Sequence, residues 1–430
     1  MKRSLKSIVV FCLLALASAH AQPAPSVSEF VINGLKVIVK QRPGTETVTV
    51  GLFLRGGSVQ KPGMEELLLS VVTESSAKFP APVLQAELVR TGSSISSATN
   101  YDYSVLTMAS TRRNFERTWD LFADIALHPN LLAKDIELKK QLQIASETDR
   151  LSVPDGLLDS NEASFLYAGH PYRNHLAGTV DTLSKISATD LKTLHSQLMQ
   201  TSQLLLVVVG KLDENSLKSK IAASFGALPK GNYQSSAMPL LKFSAPTATL
   251  TTKPLNAVYV QGVFAGPDFN SPDYDALQMA TSILDTRIQA AKLKKDISFQ
   301  SQALLRRQRA SCGVVSFMSE NGNEAAELVQ EQISVMKTAL VPADVLEGIR
   351  SAYITNYYVE NQSSAAQAVI LARYELMGSG WRNSENLLDR LRKVTPADVQ
   401  RVAREYMRSF QFTIVGDGGK INTQLLLAER

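Results

Sequence analysis

Cysteine is nearly absent. The 430-residue chain has 2 cysteines, and Cys12 sits in an N-terminal apolar run that reads as a removable leader. Cys312 then stands alone, so no intramolecular disulfide can form and stability must come from packed cores. An excess of one charge is lacking too. The formal net charge is +5, but Lys2, Arg3 and Lys6 belong to the leader; removing those three from the 45 cations leaves 42 against 40 acidic residues. A surplus of two offers no electrostatic footprint for nucleic acid. Beyond the leader no apolar stretch is long enough to cross a bilayer as a helix, so no stable membrane insertion is expected.

Histidine is also scarce. Of 5 histidines, His20 falls in the leader, leaving His128, His170, His175 and His195. His170 and His175 flank a Pro-Tyr pair at a spacing that does not share a helix face. His128 precedes Pro129 in a helix-ending turn, and His195 sits within an amphipathic helix. All four read as structural or solvated, which leaves little nitrogen for a metal site.

The leader itself is well marked. Lys2, Arg3 and Lys6 form a positive n-region, an apolar run follows from about Ile8 to Ala17, and Ala19-His20-Ala21 places small residues where a signal peptidase reads. Residues 1–21 are therefore expected to be cleaved after Ala21. The mature chain is expected to be exported, into the periplasm of a double-membraned bacterium.

The remainder repeats itself weakly. Thr47-Val48-Thr49-Val50-Gly51-Leu52-Phe53 has a counterpart in Val258-Tyr259-Val260-Gln261-Gly262-Val263-Phe264. Ser187-Ala188-Thr189-Asp190 and Thr395-Pro396-Ala397-Asp398 each place an N-cap three residues before an aspartate. Each is followed by a helical stretch and an apolar strand ending in glycine, Leu204 to Gly210 and Phe412 to Gly416. The paired features lie a little over 200 residues apart in each case. Pro229-Lys230-Gly231-Asn232 through Pro246 reads as an exposed linker. The expected organisation is an N-terminal domain over 26–228, a linker over 229–247 and a C-terminal domain over 248–430. The expected class is α+β, each domain a mainly antiparallel sheet with helices on one face, and a cleft between the two.

These motifs, in this order, resemble the pitrilysin/insulinase-type zinc peptidase family over nearly all of the mature chain. Ile32-Asn33-Gly34-Leu35-Lys36-Val37 is similar to the family's opening hairpin, and Gly56-Gly57-Ser58 to the glycine-serine turn before its metal-binding helix. Gly169-His170-Pro171-Tyr172, Val207-Val208-Val209-Gly210 and Ser271-Pro272-Asp273-Tyr274 follow in register. The resemblance implies that two such chains or halves close as a clamshell around unfolded peptides. It also implies an inverted zinc motif, His-x-x-Glu-His on one helix, with a distant glutamate. Residues four apart share a helix face, so two imidazoles grip one zinc while the intervening glutamate acts as base.

At those positions this chain departs from the family. Glu66 and Ser70 stand where the resemblance places the histidines, Leu69 where it places the base, and Glu147 matches the distant glutamate. Two carboxylates without a nitrogen ligand suit a weakly held hard cation better than a catalytic zinc. In two-chain members of the family the inactive partner supplies an arginine and a tyrosine toward the substrate carbonyl. Here Lys292 and Phe299 match them, and the glycine-rich turn that usually precedes them reads Leu284-Asp285-Thr286-Arg287. Lysine keeps the cation without the planar fork, and phenylalanine has no hydroxyl to offer an oxyanion. Ser97, Ala98 and Thr99 match the strand that pairs with bound peptide, a mode that reads backbone rather than side chains.

The expectation is a pseudoenzyme with no catalytic residues and no cofactor of its own. It would be the non-catalytic subunit of a heterodimer with a zinc-bearing homologous peptidase, holding unfolded peptides in a shared chamber. A stand-alone peptide-binding or scaffold protein is the alternative, and an active peptidase with a rearranged site is a third reading. Ordinary roles also fit the same residues: Lys292 as a solvated lysine, Phe299 as core, Glu66 and Glu147 as remnants of a lost site.

Overall fold

The computed structural model describes residues 26–57, 62–173 and 175–428; the leader and Ser58 lie outside the described residues. The first half runs β1 (Val27–Ile32), β2 (Leu35–Gln41), β3 (Thr47–Arg55), α1 (Met64–Val72), α2 (Ala81–Thr91), β4 (Ser94–Thr99) and β5 (Tyr103–Thr111). It continues with α3 (Phe115–Leu127), α4 (Ala133–Ser152), α5 (Pro154–Leu166), α6 (Val180–Ser184), α7 (Ala188–Leu198), β6 (Leu204–Gly210) and α8 (Glu214–Phe225). The second half runs β7 (Thr247–Thr252), β8 (Val258–Asp268), α9 (Asp273–Lys295), β9 (Gln300–Arg306), β10 (Ala310–Ser319) and α10 (Gly322–Thr338). It ends with α11 (Ala343–Glu360), α12 (Ser364–Met377), α13 (Leu387–Lys393), α14 (Pro396–Tyr406), β11 (Gln411–Gly416) and α15 (Gln424–Leu427).

The repeat in the sequence is a repeat in the fold. One sheet has the order β1-β2-β6-β3-β5-β4 and the other β7-β11-β8-β10-β9. Without β1 the two orders match strand for strand. Each has a single parallel pair, β2 with β6 and β7 with β11, among antiparallel neighbours. Asn33 and Gly34 both take positive φ, 46° and 87°, the turn that a two-residue hairpin between β1 and β2 requires. Ser187 with Asp190 and Thr395 with Asp398 each close a reciprocal capping box at the start of α7 and α14. Leu284-Asp285-Thr286-Arg287 lies inside α9, which runs on where a glycine-rich turn would break it.

Helices cover more than one face of each sheet, and the reason lies in strand composition. β6 is apolar at every position, and all seven residues are buried. Leu204, Leu206 and Val208 face a core shared with α1 and α3, while Leu205, Val207 and Val209 face another. A strand greasy on both sides needs two layers. The second layer comes from the opposite half: α12 packs on β3 and β6 of the first sheet, and α5 packs on β8 and β11 of the second. Gly51 makes room for this face, because a Cβ there would meet the Phe53 ring at 2.4 Å.

The open cleft expected between the halves is thus largely a packed interface, and a cavity remains within it. Gly169-His170-Pro171-Tyr172 helps hold it together. The Tyr172 hydroxyl donates to Asp102 Oδ1 at 2.5 Å, and the Arg309 backbone N–H donates to Asp102 Oδ2 at 3.2 Å. Residues 229–246 have no regular structure. They are pinned at intervals, with Leu241 buried in the interface and the Pro239 carbonyl 2.8 Å from His170 Nε2.

Candidate functional site

The start of α1 is fixed by close backbone packing. Gly63 precedes it with φ 76°, and a Cβ there would lie 2.6 Å from the Ala177 carbonyl, so only glycine fits. Gln143 of α4 donates to the Gly63 and Ala177 carbonyls at 3.2 and 2.7 Å, which ties α4 alongside α1. That alignment brings Glu66 and Glu147 together. The Glu66 carboxyl is held above its ordinary range, first by burial and then by the Glu147 charge.

The other two positions of the motif do not face a shared ligand. Leu69 is buried in the first-half core beside Leu52 and Leu106. Ser70 donates its hydroxyl back to the Leu67 carbonyl at 2.8 Å. Glu147 is fully engaged: Arg150 Nε donates to Oε2 and Nη2 to Oε1, both at 2.8 Å. Arg150 Nη1 also donates to the Gly156 carbonyl at 2.8 Å. The positive charge beside this carboxylate is a guanidinium one helical turn away.

Could zinc sit here? Among the described residues no group of three or more His, Cys, Asp or Glu is arranged to hold a metal ion. His175 comes nearest, with Nδ1 3.8 Å from Glu147 Oε1, and burial lowers its proton affinity. One imidazole, one free carboxylate and one carboxylate chelated by arginine do not make the donor set of the inverted motif. The residues present do not fit zinc.

They surround a polar cavity of about 310 Å³. Glu66, Thr99, Tyr101, Arg150 and His175 face it from the first half, and Arg306 and Gln308 from the second. Its far wall is an ion pair across the halves. Arg306 forks onto Glu162 of α5, with Nη2 to Oε2 at 3.0 Å and Nη1 to Oε1 closer still. Gln261 Nε2 also donates to Glu162 Oε2 at 2.5 Å. Arg150, Glu162 and Arg306 were not singled out from the sequence, and His175 was read there as structural or solvated; Arg150 alone carried a signal, standing three residues after Glu147.

Thr99 joins this cavity to the open edge of the first sheet. β4 is the terminal strand, paired only with β5. The Asn100 N–H donates to the Tyr103 carbonyl at 3.0 Å. Antiparallel alternation then directs the Ala98 N–H into the ladder and those of Ser97 and Thr99 to the open edge. Lys292 and Phe299 lie elsewhere, at the end of α9 and just before β9. Lys292 Nζ sits 4.8 Å above the Phe299 ring and donates to Gln289 Oε1 at 3.0 Å. Phe299 is buried edge-to-face against Phe317. Neither lines the cavity. Of the remaining histidines, His195 Nε2 lies 2.8 Å from the Ala126 carbonyl and His128 caps the end of α3.

Comparisons with known proteins bear on the family and the fold. Residues 36–180 match the family model "Insulinase (Peptidase family M16)", and residues 185–353 match "Peptidase M16 inactive domain". A zinc protease PqqE of Helicobacter pylori is 23% identical over 440 residues, covering 96% of this chain and 98% of that protein. A mitochondrial-processing peptidase subunit beta of Saccharomyces cerevisiae is 21% identical over 250 residues, covering 56% of this chain and 54% of that protein. A crystal structure of a peptidase M16 inactive domain from Pseudomonas fluorescens superposes with TM-score 0.83 at 16% identity, covering 91% of this chain and 98% of that one.

Proposed function

Because the chain belongs to the insulinase family, peptidase family M16, we propose that it is a non-catalytic subunit that holds extended peptides and pairs with a zinc-bearing homologue. The observation that carries this is the Glu147–Arg150 pair. The carboxylate that would complete the metal site is occupied by a guanidinium, and the motif helix supplies Glu66, Leu69 and Ser70 instead of His-x-x-Glu-His. Zinc and the hydrolytic water then belong to the partner chain. The scaffold is kept while the metal donors are gone, as a chamber wall requires. The open edge of β4 beside the cavity supports peptide holding, since an added strand is bound through backbone hydrogen bonds. A relative whose name describes a peptidase subunit favours pairing. The N-terminal apolar run read as a leader supports export of this chain, and a partner would have to share its compartment.

The test is co-expression of the mature chain with a zinc-bearing family member from the same genome, followed by size-exclusion chromatography. A stoichiometric complex is expected; persistent separation at micromolar concentration contradicts the pairing. A second reading, a stand-alone peptide-binding protein, is favoured by Lys292. Its ammonium rests on Phe299 instead of facing the cavity, so the cation that the resemblance directs at a partner's substrate is not offered there. Peptide binding by the isolated chain, with no association, would select that reading.

A further inference from the structure

The fold repeat duplicates the cavity as well as the strands. In the first half the cavity lies between α1, α4, α5 and the end of β4. The equivalent elements of the second half are α9, α11, α12 and the end of β9, and these enclose a second, smaller cavity. Its chemistry differs: one carboxylate lines it, against three in the first. Tyr274 comes from the start of α9, Tyr353 and Tyr357 from α11, Arg373 and Tyr374 from α12, and Arg307 from just beyond β9.

This cavity is rich in donors and poor in acceptors. Tyr274 is 7% exposed, and its hydroxyl is buried without a hydrogen-bond partner among the described residues. The Tyr353 oxygen accepts from Arg307 Nη2 at 3.3 Å and the Tyr374 oxygen from Arg390 Nη2 at 3.2 Å. Each phenol therefore keeps its own hydrogen to donate. Burial holds all four phenols above their ordinary titration range, so they stay neutral donors. The one carboxylate in the lining, Asp275, is already paired with Arg390 at 2.5 Å. Exposed Glu360 is the carboxylate whose charge reaches Arg307. Tyr274 also stands in the first turn of a 23-residue helix, the end that favours negative charge.

We propose that this second cavity is a binding site for a carboxylate, held by the Tyr274 hydroxyl and the guanidinium groups of Arg373 and Arg307. Two planar guanidinium forks and one phenol offer directed donors to the two oxygens of a carboxylate. Its source is either the C-terminus of a held peptide or a free small acid. Only the first source rests on the peptide-holding reading; the site itself does not.

The test uses the full mature chain with 13C-labelled tyrosine, titrated with sodium acetate, inorganic phosphate, a short peptide acid and its C-terminal amide twin. The Tyr274 signal is assigned by its loss in Tyr274→Phe. Acetate is expected to shift it saturably, and Arg373→Gln, at a half-buried position of the lining, to weaken that binding at least about tenfold, the loss of a hydrogen bond to a charged group. Response to the peptide acid but not its amide identifies a peptide C-terminus as the source; response to acetate alone identifies a free acid. No saturable shift with acetate, tighter binding of phosphate, or unchanged affinity in Arg373→Gln overturns the proposal, whatever the partner chain does.

Discussion

Arg150 meets the Glu147 carboxylate side-on, two nitrogens to two oxygens at 2.8 Å each, within one turn of α4. The pair is largely buried, Glu147 being 5% exposed. A bidentate, charge-assisted contact of this kind holds its carboxylate firmly, so the loss of the metal site goes beyond the motif helix.

It follows that restoring the motif alone will not restore zinc. Glu66→His, Leu69→Glu and Ser70→His together are expected to give well under one zinc per chain by elemental analysis. Adding Arg150→Ala to the three is expected to bring the content toward one, by freeing Glu147. Stoichiometric zinc in the triple variant would show that Arg150 yields without cost.

The same pair contributes to stability. Arg150→Ala leaves a buried carboxylate uncompensated and is expected to destabilise the chain by about 3 kcal/mol in urea unfolding. Arg150→Ala with Glu147→Gln is expected to recover most of that loss, because the second change removes the stranded charge. Equal losses in the single and double variants would mean the effect is packing and not electrostatics.

Glu65 predicts a pH dependence. It is buried, its Oε1 has no hydrogen-bond partner among the described residues, and burial, partly offset by the Ser104 hydroxyl, raises its carboxyl from 4.5 to about 7. A raised acid binds its proton more tightly when folded than when unfolded. Its contribution is therefore full below about pH 4.5 and falls away as pH rises through about 7, by about 3 kcal/mol. Glu65→Gln is expected to flatten stability across that window and to exceed the parent at about pH 8. A variant with the parent's pH profile would refute the assignment.

Much of this architecture could be read from sequence, and the reasons are local. The Asn33-Gly34 turn, the capping boxes at Ser187 and Thr395, and the doubled apolar strands all depend on residues close together in the chain. The exchange of α5 and α12 between the sheets does not. Their residues gave no sign of which sheet they would cover, because that is set by packing across the whole chain. Nor could the Glu162–Arg306 fork be foreseen, since its residues are 144 positions apart. The cavity chemistry followed from those long-range contacts.

Edge pairing on β4 gives a position-specific prediction. Ser97→Pro removes an N–H that faces the open edge, while Ala98→Pro removes one that bonds β5. Peptide binding measured by fluorescence anisotropy is expected to weaken at least about tenfold in Ser97→Pro with little change in melting temperature. Ala98→Pro is expected to lower stability itself, by about 1–3 kcal/mol. Unchanged peptide affinity in Ser97→Pro would place the peptide elsewhere.

The central claim, a peptide-holding subunit without its own metal chemistry, is tested most directly by a cleavage assay with added zinc. The chain would be measured alone and mixed with its nearest zinc-bearing homologue. The account predicts no cleavage by the chain alone, and cleavage by the mixture above that of the homologue. Zinc-dependent cleavage by the chain alone, or a mixture no more active than the homologue, would contradict it.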